Sequence, residues 1–193
     1  MNGQPACLIA AFVAVSAIGG TTAANAGPPA PSTKESRMSQ AGPEHARLAA
    51  MCGSWNVEMT FWLRPGGSGV TTRATSTIRS LFDGLFVEEK IEGALNGAPF
   101  TTLAWTGFNT ATHQYEATRI ASTNSSRIAE TGGYDEKARQ FELKADYALA
   151  GDTWHQRTVI QPLSADTMIA ASYLSFGNVP EWKAVEIKYT RRP

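Results

Sequence analysis

Cysteine is almost missing from this chain: two in 193 residues, and Cys7 falls inside an apolar N-terminal stretch. If that stretch is removed, Cys52 stands alone, which excludes an intramolecular disulfide and any cysteine-built metal site. The fold must then rest on core packing, with Cys52 as a small buried apolar residue. An excess of charge of either sign is also missing. Acidic and basic residues number 17 each, and none precedes Lys34. A balanced, scattered charge pattern leaves no footprint for nucleic acid or for an anionic membrane. Beyond residue 26 no apolar run is long enough to span a bilayer, so the mature chain has no integral membrane segment. Catalytic signatures are missing as well: there is no G-x-S-x-G elbow, P-loop, H-E-x-x-H or G-x-G-x-x-G. No cofactor and no metal is implied by any motif.

Residues 1–26 read as a secretory signal. An apolar core runs from Cys7 to Val15, and Ala24-Asn25-Ala26 forms an A-x-A cleavage pattern. The expectation is cleavage after Ala26 and a periplasmic or secreted protein. The competing reading starts a leaderless chain at Met38. Residues 27–42, opening Gly27-Pro28-Pro29-Ala30-Pro31, read as a disordered tether rich in proline and serine.

The folded domain is expected over residues 43–193. Pro43 suits a first helical position, and Leu48, Met51 and Cys52 repeat at helical spacing until Gly53. The rhythm then changes to two. Trp55, Val57, Met59, Phe61 and Leu63 alternate with polar neighbours, the pattern of a strand with one buried face. Further strands are expected near 70–81, 85–93, 99–108, 115–121, 126–132, 140–147, 153–161, 167–176 and 182–190. Turn pairs such as Asp83-Gly84, Asn96-Gly97, Gly151-Asp152 and Gly177-Asn178 separate them. Short connections mean antiparallel neighbours, because parallel crossovers need about a dozen residues or more. A weak repeat supports this: Gly107-Phe108-Asn109 precedes Tyr115 at the spacing by which Gly133-Tyr134-Asp135 precedes Phe141. The expected class is all-β, an up-and-down barrel of about ten strands with one short N-terminal helix. A sandwich is the alternative.

Several of these features, in this order, resemble one family. They are Gly42-Pro43-Glu44-His45, Gly53-Ser54-Trp55, the Gly-aromatic-Asn/Asp turns, and the closing Glu186-Ile187-Lys188-Tyr189-Thr190-Arg191. Over residues 40–192 the chain resembles the bacterial domain-of-unknown-function 1579 family. The resemblance implies a lipocalin-like barrel and no particular activity. The G-x-W step also resembles the lipocalin signature, which implies that Trp55 and Arg191 close one end of the barrel as a structural cation–π pair.

Inside a barrel, alternate residues face the lumen, so an ionisable residue on an apolar face is informative. Glu89 shares a face with Leu85, Val87 and Ile91, and His155 and Arg157 share one with Val159. They are expected as polar anchors of a pocket walled by Met59, Phe61, Trp105, Tyr147 and Tyr173, with a small apolar molecule as ligand. A structural Glu89–Arg157 ion pair is the plainer reading. An enzyme, a hydrolase or isomerase using Glu89 or Asp152 with His155, is the alternative function. Haem held by His155 is a third, and self-association through Trp62 and Trp182 a fourth. The sequence sets neither the ligand nor the oligomeric state.

Overall fold

Alternation of apolar and polar side chains gives each strand one face to bury, and a meander of such strands hides every edge only by closing. The computed structural model, which describes residues 40–149 and 151–193, closes in this way. The expected signal sequence and most of the tether lie outside the described residues. The elements are helix α1 (Pro43–Ala49) and strands β1 (Gly53–Phe61), β2 (Val70–Leu81), β3 (Phe86–Leu95), β4 (Ala98–Asn109) and β5 (Gln114–Ala121). They continue with β6 (Arg127–Asp135), β7 (Gln140–Leu149), β8 (Asp152–Pro162), β9 (Thr167–Phe176) and β10 (Val179–Arg191). Each strand pairs antiparallel with its sequence neighbours, and β10 returns to β1. The barrel, not the sandwich, is the architecture. Among the described residues no helix is long and apolar enough to cross a membrane.

The turn chemistry accounts for the short connections. Asn96 and Gly97 both take left-handed backbone angles, φ 52° and 82°, as a two-residue hairpin turn demands. The repeated motif builds two matching hairpins. Asn109 accepts backbone hydrogen bonds from Ala111 and Thr112, and Asp135 accepts them from Lys137 and Ala138. His113 and Arg139 then occupy the same left-handed position, φ 54° and 53°. Each hairpin pairs two inward aromatics edge to face, Phe108 with Tyr115 at 5.0 Å and Tyr134 with Phe141 at 4.9 Å.

These four rings make the floor on which α1 rests. His45 meets Phe108 edge on, Arg47 lies over Tyr134, and the Tyr115 hydroxyl donates to the Glu44 carbonyl. Leu48, on the inner face of α1, is 1% exposed. The helix therefore plugs this end of the barrel. The other end gathers Trp154, Phe176 and Trp182, with Trp154 stacked on Phe176 at 4.2 Å. Trp182 donates its indole N–H to the Trp62 carbonyl, and both indoles are partly buried rather than freely exposed.

Candidate functional site

The closure beside the plug is built by three residues of the G-x-W step and the last strand. The Arg191 guanidinium lies 4.2 Å from the centre of the Trp55 ring, and its Nη1 donates to the Cys52 carbonyl at 2.8 Å. Trp55 in turn donates its indole N–H to the Met51 carbonyl. Gly53 has φ 145°, and a Cβ there would stand 2.1 Å from Arg191 Nη1. Glycine at this position is thus a condition for the arginine to cross the indole. Neighbouring Cys52 is half-buried, and burial pushes its thiol up while Arg191 opposes the shift. Cys52 does not line the barrel cavity.

A cavity of about 50 Å³ lies in the middle of the barrel. Its wall mixes apolar side chains, Met51, Ile78, Ile160, Met168 and Ile187, with polar ones, Glu89, Arg119, Thr158, Ser172 and Tyr189. The strand register explains how the two charged residues come together in this wall. In an antiparallel pair, residues directly opposite share a face. Glu89 faces Ala104 across β3 and β4, and Ala104 faces Arg119 across β4 and β5. The small side chain between them leaves carboxylate and guanidinium free to converge above it.

Each polar group is held. Ser76 donates to Glu89 at 2.8 Å. Behind Arg119 sits Glu130, 1% exposed, which accepts from the Thr158 hydroxyl at 2.5 Å and the Gln156 amide at 3.1 Å through one oxygen. Its other oxygen, Oε2, has no hydrogen-bond partner and stands 3.6 Å from Arg119 Nη2. That separation is too long for a full-strength hydrogen bond, so the attraction is mainly Coulombic. Burial alone would lower the Arg119 pKa, but Glu130 and then Glu89 raise it further, and the guanidinium stays charged. Burial, reinforced by Glu89 alongside, raises the Tyr189 phenol well above its ordinary value. Tyr189 is therefore a neutral hydroxyl at physiological pH.

The residues expected from sequence divide. Glu89 faces the lumen and lines the cavity. Met59, Phe61 and Tyr147 lie on the inner faces of β1 and β7, nearer the end remote from α1 and off the cavity wall. The expectation for the other four is corrected. His155 points outward and exposed, with Nδ1 2.7 Å from Asp146. Arg157 is also on the outer face, where it donates two hydrogen bonds to Glu181 and lies 4.2 Å above Tyr173. Tyr173 is thus an outer residue too. Trp105 faces outward and donates to Glu88 at 2.9 Å.

For His155 and Arg157 the reason lies in β8. Its inward set is Trp154, Gln156, Thr158 and Ile160, in which Gln156 and Thr158, the two polar members that satisfy Glu130, break the apolar alternation. A Glu89–Arg157 pair and a Glu89–His155 acid–base pair are consequently not assembled, since the barrel wall separates their members. An interior haem ligand at His155 is removed on the same ground. Arg119 and Glu130 take the positions that sequence reasoning gave to Arg157 and His155. A signal for them existed. Counting by twos forward from inward Tyr115 reaches Arg119, and back from inward Tyr134 reaches Glu130.

No curated protein matches the chain in sequence. In fold it is similar to an S-type phycobiliprotein lyase, CPES, from Guillardia theta. The TM-score is 0.53 at 12% identity, over 86% of this chain and 99% of that one. At that identity the likeness carries the barrel and nothing of the activity. With its plug, its glycine-tryptophan step and its arginine-closed base, residues 40–191 match the profile described as protein of unknown function (DUF1579), and the chain belongs to that family.

Proposed function

We propose that this protein binds a small, largely apolar molecule in the barrel interior, seating a polar end of the ligand among Glu89, Arg119 and Tyr189. One observation carries the reading: a cavity at the centre of the barrel has charged and hydroxyl groups set into a largely apolar wall. A barrel needing only stability is better served by apolar packing, because buried ion pairs repay their desolvation poorly. The cavity of about 50 Å³ holds on the order of three to five waters. It therefore takes a head group or a short molecule, and a longer one must displace inner side chains toward the end remote from α1.

Export belongs to the same proposal. The A-x-A pattern at Ala24–Ala26 directs cleavage before Gly27, so the ligand would be met outside the cytoplasm. Native mass spectrometry of the protein purified from its own source cells tests both parts. The expected spectrum has a polypeptide beginning at Gly27 with an added small-molecule mass. The Ala170→Leu variant, which fills the cavity from β9, loses that added mass. A ligand-free wild type, or a ligand retained equally by the variant, would count against the interior site.

A further inference from the structure

We infer that the ligand's polar end is a cation, an ammonium or a comparable positively charged donor, and not a carboxylate or phosphate. The inference rests on the proposed interior site and concerns its charge. An arginine in an apolar lumen invites the opposite conclusion, since guanidinium groups commonly receive anions. Here the invitation is already answered. Arg119 has Glu130 at 3.6 Å on one side and Glu89 on the other, and both raise its pKa. Glu89 and Arg119 are the charged residues on the cavity wall, and Glu130 stands behind Arg119.

Two carboxylates against one guanidinium leave a formal surplus of one negative charge at the cavity. Two further observations point the same way. Glu130 Oε2 is buried with no hydrogen-bond partner, so acceptors at the cluster exceed the donors that reach them. The hydroxyls beside Glu89, those of Ser76 and of Tyr189, a neutral phenol, supply no charge. An incoming anion would deepen the surplus. A neutral group leaves it standing. An ammonium at Glu89, free to take part of Arg119's share of the carboxylates, removes it.

Three probes of one size and different charge test this: n-butylamine, n-butanol and butyrate, titrated calorimetrically at neutral pH into the full mature chain. The expected order places the amine about ten-fold or more ahead of both others. Glu89→Gln and, separately, Glu130→Gln each bring the cluster to formal neutrality and should level the amine with butanol. The double variant leaves Arg119 unopposed and should turn the preference to butyrate, with thermal melts verifying that each variant is folded. Butyrate or butanol binding wild type as tightly as the amine overturns the charge assignment and leaves the interior site standing. An amine preference that survives both carboxylate changes also overturns it. Binding of none of the three removes the charge assignment and the interior site together.

Discussion

Tyr189 shows how one side chain serves two masters, the packed core and the polar cluster. It is 4% exposed, meets Trp55 edge to face, and turns its hydroxyl toward the Glu89 side of the cavity. Burial and the neighbouring carboxylate both favour the neutral phenol, so its folded-state pKa is raised. Tyr115 and Tyr147 are raised too, chiefly by burial. The sign of the linkage follows. A group whose pKa is raised by folding contributes stability that is intact below its unfolded value, about 10 for tyrosine, and lost as pH rises toward the folded value. Stability should therefore fall on the alkaline side from about pH 10. In a near-ultraviolet phenolate titration of the folded protein, Tyr189 should ionise late or only on unfolding, and Tyr189→Phe should remove that late signal. A Tyr189 that ionises at the ordinary tyrosine value of about 10 would contradict its burial in the interior. At this scale the sequence disclosed Glu89, because a lone carboxylate stood among Val87, Ile91 and their neighbours. It concealed Arg119 and Glu130, whose strands put alanine, glycine and threonine beside them and dilute the apolar signal.

The matched hairpins β4–β5 and β6–β7 are the elements on which plug and cavity both depend. Their aromatic pairs support α1, and the same alternation that turns Tyr115 and Tyr134 inward turns Arg119 and Glu130 inward. Their turns are held by one Asx side chain each and contain a residue in left-handed strain. Asp135→Ala should destabilise the protein by about 1 kcal/mol through two lost turn hydrogen bonds. Arg139→Gly should stabilise it by up to about 1 kcal/mol by relieving that strain. Chemical denaturation of the two variants measures both; an unchanged or reversed pair of midpoints would show that these turns do not set the hairpin. Strand spans were legible because period-two alternation and turn pairs such as Asn96-Gly97 are local signals. Facing was legible where an unbroken alternation anchored it, as at Trp55 and Phe141, and not at Trp105 or Tyr173, aromatics that lie on the outer face. In β8 it was not, because Gln156 and Thr158 are buried for the sake of a carboxylate on β6, a partner that local periodicity does not reveal.

Across the whole molecule, closure converts ten half-buried strands into one inside and one outside. The outside takes His155 and Arg157, which sequence reasoning placed within, and pairs them there with Asp146 and Glu181. The inside keeps an apolar core into which the Glu89–Arg119–Glu130 cluster is set beside the cavity. Ligand binding there is the central claim, and methyl NMR tests it most directly. An organic extract of the source cells is added to protein labelled at its methionine, isoleucine and leucine methyls. The account predicts shifts at Met51, Met168, Ile78, Ile160 and Ile187, which line the cavity, with Leu63 and Leu163 on the exposed surface unmoved. Shifts confined to the surface methyls, or none at all, would contradict it.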